Sequence, residues 1–186
     1  MSIPFIVIGV IIVLLILFVI GIYNALVRLR NQVDNSWSQI DVQLKRRHDL
    51  IPNLVETAKG YMQHERGTFE AITEARSKAM GAKSVSESSQ AEGNLGEALS
   101  KFMLVVENYP DLKANQNFLA LQEELTSTEN KIAFARQSYN DQVLFYNNKI
   151  QMFPSNIIAN MFNFAASDFF ELEDVGERAV PKVDFT

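Results

Sequence analysis

A chain of 186 residues with a net charge of −5 has room for one domain and an appendage, and its acidic balance argues against wholesale nucleic-acid binding. It contains no cysteine, which excludes disulfides, thiolate metal sites and cysteine nucleophiles without fixing a compartment. Partners are therefore expected to be protein or membrane.

The first predicted element is Ile3 to Ile22, which carries no charge and departs from Ile, Val, Leu and Phe only at Pro4, Gly9 and Gly21. Twenty residues at about 1.5 Å each cover roughly 30 Å, the thickness of a bilayer's hydrocarbon core, so this segment reads as a membrane span. A cleaved signal peptide fits less well, because no basic residue precedes the run and no small-x-small site follows it. Arg28 and Arg30 follow the span closely. By the positive-inside rule they place the C-terminal domain in the cytoplasm and the N-terminus outside, as a single-pass protein of the cell membrane.

Beyond the span, apolar side chains fall at Ile22, Leu26, Leu29, Val33, Trp37, Ile40, Leu44, Ile51 and Val55, with His48 filling the one gap. The steps of three and four form an eleven-residue repeat that stays on one helical face, so the membrane helix should continue into the following domain without a hinge. The stripe resumes through Leu54, Ala58, Tyr61, Met62, Phe69, Ile72 and Ala75. Residues 81 to 94, GAKSVSESSQAEGN, read as a Ser-rich loop.

A shorter amphipathic piece carries Leu95, Leu99, Phe102, Val105 and Val106 and ends at Asn108-Tyr109-Pro110. A third helix is expected from about Asp111, keeping its spacing from Phe118 through Leu125, Ile132, Tyr139, Val143 and Tyr146 to Ile150, with Thr128 filling one step. Pro154 stops it and Ser155 is placed to cap a new turn. The chain then becomes unusually aromatic, through Phe153, Phe162, Phe164, Phe169 and Phe170. With no strand-forming block, the pattern describes an all-helical bundle.

The stretch QLKRRHDLIPNLVE, residues 43 to 56, gathers charge around a proline. Asp41, Lys45 and Asp49 stand four residues apart, a spacing that suits ion pairs on a solvated helix face. Pro52 has no amide hydrogen, so the carbonyl of His48 loses its helical partner and the helix should kink or pause there. A neutral His48 in the stripe is expected to donate to a facing carboxylate or carbonyl. His64, beside Glu65, completes no zinc-peptidase arrangement, and neither a Gly-x-Ser-x-Gly elbow nor a glycine-rich phosphate loop occurs. Trp37 is expected in the core, and Tyr139 and Tyr146, each followed by Asn, are expected to bury their rings and satisfy their hydroxyls.

The terminal aromatic block has three readings: it closes the bundle end, contacts a neighbouring subunit, or dips into the headgroup region. The few basic residues beside it in sequence favour a protein partner over anionic lipid.

Three blocks, YNALVRLRNQVDNSWSQIDVQLKRRHDLIPNLVETAKGYMQHE (23–65), YPDLKANQNFLALQEELTSTENKIAFARQSYNDQVLFYN (109–147) and FPSNIIANMFNF (153–164), resemble the LemA family over nearly the whole chain. The resemblance implies one N-terminal membrane helix with an extracytoplasmic N-terminus, a bundle of long antiparallel helices, and no established enzymatic activity or cofactor. The family also includes a protein tied to building the magnetosome membrane, and its members are often encoded near membrane proteases. Ser36 stands where alanine is common. Asn163 stands where glycine often sits, and asparagine is the next-best residue for a left-handed turn.

The expected organisation is an anchor over 1–22, a helical-bundle domain over 23–174 and an extended tail over 175–186. The expected function is that of a membrane-anchored, non-enzymatic structural protein that forms a homo-oligomer and organises or remodels the bilayer. The alternative is an adaptor for a membrane protease or another integral membrane complex. No cofactor and no nucleic acid are expected; the lipid bilayer, a second copy and a membrane protein are the expected partners. His48, Phe162, Phe164, Phe169 and Phe170 are the candidate interaction residues.

Overall fold

The computed structural model describes residues 3–171, so the expected tail over 175–186 lies outside the described residues. Among the described residues six helices succeed one another: α1 (Ile3–Lys59), α2 (Arg66–Gly81), α3 (Val85–Val106), α4 (Pro110–Lys113), α5 (Gln116–Gln151) and α6 (Ser155–Met161). These residues contain no strand, and the fold is all-α.

Helix α1 carries the apolar run and the stripe as one uninterrupted element of 57 residues. Its first part is long and apolar enough to cross a membrane. The expected pause at Pro52 does not occur. Arg76 of α2 supplies the missing donor, its Nε lying 2.7 Å from the carbonyl oxygen of His48. A charge-assisted hydrogen bond thus replaces the backbone bond that proline removes.

The Ser-rich segment is a second departure, because most of it is the opening of α3. Ser84 Oγ accepts from the Glu87 amide at 3.1 Å, while the Glu87 carboxylate accepts from the Lys83 amide at 2.8 Å. This Ser-x-x-Glu arrangement satisfies amides that the first turn leaves open and lets the helix start about ten residues earlier than apolar periodicity suggests. The apolar stripe itself breaks where the sequence seemed continuous. After Lys59 the amides of Tyr61 and Met62 both return to the Ala58 carbonyl, and α2 begins only at Arg66. Downstream, the expected start near Asp111 is the single turn α4, and the long helix begins after Asn115, whose Oδ1 accepts from the Phe118 amide at 3.1 Å.

The described residues form two compact units, 3–43 with 132–169, and 44–131 with 170–171. In the second, α2 and α3 form an antiparallel hairpin. Its core joins Ile51, Leu54 and Ala58 of α1 to Ile72, Leu95, Phe102, Phe118 and Leu125. Phe102 stands between Phe69 and Phe118, at ring separations of 6.1 and 6.4 Å. Each fully buried Leu, Ile or Phe in such a core contributes about 1.5–3 kcal/mol.

In the first unit, α1 buries Leu26, Val33 and Ile40, and α5 buries Ile132, Tyr139, Val143 and Tyr146. The Trp37 ring lies 5.6 Å from that of Tyr139. Tyr146 donates to Ala165 O at 2.9 Å, and the adjacent Phe164 lies 5.7 Å from Tyr23 and under the Arg30 guanidinium. Advancing along α5 thus moves back along α1, so the two segments are antiparallel within this unit.

Candidate functional site

Two groups of side chains stand out, one in each unit. The first is a buried ionic cluster. Residues 47 and 48 of α1 face α3 because they occupy the buried stripe, and both are more than nine-tenths buried. Arg47 Nη1 donates to Glu92 Oε2 at 3.0 Å, and His48 Nε2 lies 2.6 Å from Glu92 Oε1. Both oxygens of a carboxylate whose side chain is 2 % exposed are therefore occupied. Since that carboxylate only accepts, His48 Nε2 carries the hydrogen, the donor role expected from its position in the stripe. Arg47 Nε stands 2.7 Å from Glu129 Oε1 of α5, a close charge contact whose N–H direction misses good hydrogen-bond alignment. Burial pushes the Glu129 carboxyl up; the Arg47 charge pulls it down and Glu92 pushes it up again.

Through these bonds and the Arg76 contact, one turn of α1 is tied to α2, α3 and α5. Both Glu92 oxygens and the Arg47 guanidinium are engaged within the cluster, while Glu129 keeps 40 % of its side chain exposed. Two clefts open elsewhere on the same unit, of about 850 and 440 Å³, and none of Arg47, His48, Arg76, Glu92 or Glu129 lines either. Among the described residues no three His, Asp or Glu side chains are placed to hold a metal ion, and His64 is exposed between α1 and α2. The chemistry this cluster supports is the fixing of four helices in one register.

Glu92 was hidden from sequence reasoning because it falls in the segment read as loop. A signal was present: Ser88, Glu92, Leu95, Leu99, Phe102 and Val106 keep steps of three and four, and all six are buried.

The second group closes the end of the first unit, where the aromatic block meets α1. The ring of Phe162 packs edge-on against Tyr23 at 4.8 Å, and the Arg30 guanidinium lies 5.3 Å above the ring of Phe164. The chain is turned there by Asn163, at φ 56°. The Asn163 and Phe164 amides return to the carbonyls of Asn160 and Ala159, the paired bonds of a Schellman motif with asparagine in the left-handed position. Ser155 does not cap α6. It is buried as the first helical residue, and the Asn156 amide is satisfied by the Met152 carbonyl instead.

Both Tyr-Asn pairs of α5 hold the returning chain. Tyr139 donates to Asp168 O at 2.8 Å, Tyr146 holds Ala165, and Asn147 exchanges two 2.9 Å bonds with Ser167. Burial raises the Tyr139 phenol to about 12, with Asp168 and Asp34 pushing in the same direction; burial raises Tyr146 too.

The candidate interaction residues therefore differ in placement. His48, Phe164 and Phe170 are buried, whereas Phe162 and Phe169 remain 48 % and 37 % exposed. Other exposed apolar side chains are Phe153, Ile157 and Met161 at and just before α6 and Phe134 and Phe145 of α5.

Comparison with known proteins agrees with the architecture. The LemA family model matches residues 36–185. Protein LemA of Metamycoplasma hominis is 29 % identical over 161 residues, covering 84 % of this chain and 73 % of that protein. Magnetosome protein MamQ 2 of Paramagnetospirillum magneticum and magnetosome protein MamQ of Magnetospirillum gryphiswaldense are 24 % and 22 % identical over 184 residues, each match covering 85 % of this chain and 68 % of the relative. A match over residues 36–185, most of the chain, makes this protein a member of the LemA family.

Proposed function

We propose that this protein is a membrane-anchored, non-enzymatic structural protein that self-assembles and organises the bilayer to which it is attached. The observation that carries the reading is a set of exposed apolar side chains along the outer face of α5 and just past its end, with Asp141 exposed among them. Phe134 and Phe145 of α5 and Met152 beyond it are 76 %, 58 % and 59 % exposed. At 100° per residue they share one face, opposite the buried Tyr139, Val143 and Tyr146. A monomer gains nothing from such a set, whereas a second copy laid along it would bury side chains contributing about 1.5–3 kcal/mol each.

The ionic cluster supports a structural role, because its charged side chains tie α1 to α2, α3 and α5. Membrane attachment is supported by the apolar start of α1, and the exposed Arg28 and Arg30 just beyond it favour a cytoplasmic position for the helical domain. The relatives named as magnetosome proteins fit a role in arranging a membrane.

The test is the mass of the detergent-solubilised full-length protein together with the shape of liposomes that contain it. Assemblies of several copies and deformed liposomes are expected. Monomers in liposomes of unchanged shape would refute the proposal.

A further inference from the structure

The apolar end of the first unit lies at the height where the membrane span finishes, and the register of its helices shows this. Trp37 and Tyr139 are side by side. Tyr23 precedes Trp37 by 14 residues and Phe153 follows Tyr139 by 14. Both therefore lie about 21 Å along antiparallel helices from the same reference point. The contact between Phe162 and Tyr23 brings the far end of α6 to that level independently. Tyr23 is the residue that follows the apolar run. The headgroup layer above a hydrocarbon core is about 5–8 Å deep on each side.

At this height the unit presents Phe153 (80 % exposed), Ile157 (54 %) and Met161 (60 %), with Met152 and Phe162 beside them. Ile157 and Met161 are one turn apart on α6 and so share one outward face, and Phe153 is exposed just before the helix begins. On the inner side Ile158 and Ala159 are buried. The short helix thus carries apolar side chains on both sides, one set packed inside the unit and the other, Ile157 and Met161, facing outward. Few basic residues flank the block in sequence, but the fold brings them to it: Arg30 covers Phe164, and Arg28 is exposed on the first turns of α1 after the span.

We infer that the outward face of α6, with Phe153 and Phe162, is a second membrane contact. It lies in the headgroup region of the leaflet at which α1 emerges. The occupant is lipid because the face continues the membrane-facing surface of α1 and ends at its boundary residue. Apolar side chains in the interfacial layer with cations above them give the distribution seen in monotopic helices. Two contacts from one unit would fix its tilt against the bilayer, which a single helix does not. The inference rests on the membrane anchoring proposed above and not on self-assembly.

Because the chain has no cysteine, single cysteines can be placed and labelled without background. Full-length Ile157→Cys, Met161→Cys and, as the control at an exposed position of α1 in neither proposed contact, Gln39→Cys, each carrying an environment-sensitive fluorophore, would be reconstituted into phosphatidylcholine/phosphatidylglycerol vesicles. Quenching would be read with aqueous iodide and with lipid nitroxide-labelled near the headgroup. Labels at 157 and 161 are expected to be several-fold less sensitive to iodide than the label at 39 and strongly quenched by the lipid nitroxide. Iodide sensitivity equal to that at 39 would overturn the inference. So would iodide protection without lipid quenching, which means that protein covers the face. Neither failure bears on the mass of the assembly, measured on the same preparations.

Discussion

Removing the charge of Glu92 while keeping its shape, as in Glu92→Gln, tests the ionic cluster most sharply. The wild-type carboxylate accepts from Arg47 at 3.0 Å and from His48 at 2.6 Å, and the side chains of Glu92 and Arg47 are only 2 % and 6 % exposed. With so little water present, screening does not soften the loss, and breaking a buried pair from one side costs about 3–5 kcal/mol. Arg47 keeps Glu129 at 2.7 Å, and the amide oxygen of Gln still accepts one bond, so the lower end, about 3 kcal/mol, is the appropriate figure. For a chain of this size that corresponds to a fall in Tm of about 6–12 °C. Thermal unfolding of the full-length protein in micelles, followed by far-ultraviolet circular dichroism, gives the number. The exposed pair Arg66–Glu70 is the control, and Arg66→Gln should leave the midpoint in place. Adding Arg47→Met to Glu92→Gln should cost less than the two single changes together, because they remove one shared interaction. A Glu92→Gln midpoint indistinguishable from wild type would show that the cluster does not hold the helices.

His48→Leu leaves one oxygen of Glu92 without its donor, and a loss of about 1–3 kcal/mol is expected in the same unfolding measurement, with assembly size unchanged. If assembly fails while folding is intact, this turn of α1 is a working surface and not a lock. Tyr139 has its folded-state phenol raised to about 12, so its stabilising contribution is complete below the ordinary phenol value of about 10 and is lost as the pH climbs through 12. Subtracting the spectrophotometric titration of Tyr139→Phe from that of wild type should leave a transition near pH 12, and one at the ordinary value would contradict the burial argument. Ser84→Ala removes the cap of α3 and should cost about 1 kcal/mol in unfolding, with faster amide exchange over the first turns; unchanged exchange would refute the capping assignment.

Much of the fold could be read from spacing alone, because a stripe repeating every three to four residues marks a buried helix face directly. Leu26, Val33, Ile40, Leu44 and Ile51 are all buried as that pattern requires, and His48 takes its place among them. What spacing could not supply is information carried by polar side chains. The opening of α3 depends on Ser84 and Glu87 and contains no large apolar residue, so serine content suggested a loop. The backbone bond lost at Pro52 was legible, but the donor that replaces it was not, because Arg76 lies 28 residues away in sequence.

The candidate sites were half legible for the same reason. His48 stood out as a gap in an apolar series, but its partner Glu92 was concealed in the supposed loop. The aromatic end stood out by composition. Its division into a buried Phe164 and an exposed set, Phe153, Ile157 and Met161, depends on the turn at Asn163 and on bonds from Tyr139, Tyr146 and Asn147 that only the folded chain brings together.

The central claim is that copies of this chain meet along α5 at the membrane. A single cysteine at the exposed position of Phe145, oxidised in native membranes without detergent, reads that contact directly. The account predicts a disulfide-linked homodimer that is lost when Phe134 and Met152 are changed to Ser in the same chain. A cysteine that yields no self-adduct, or couples only to a different protein, would contradict it.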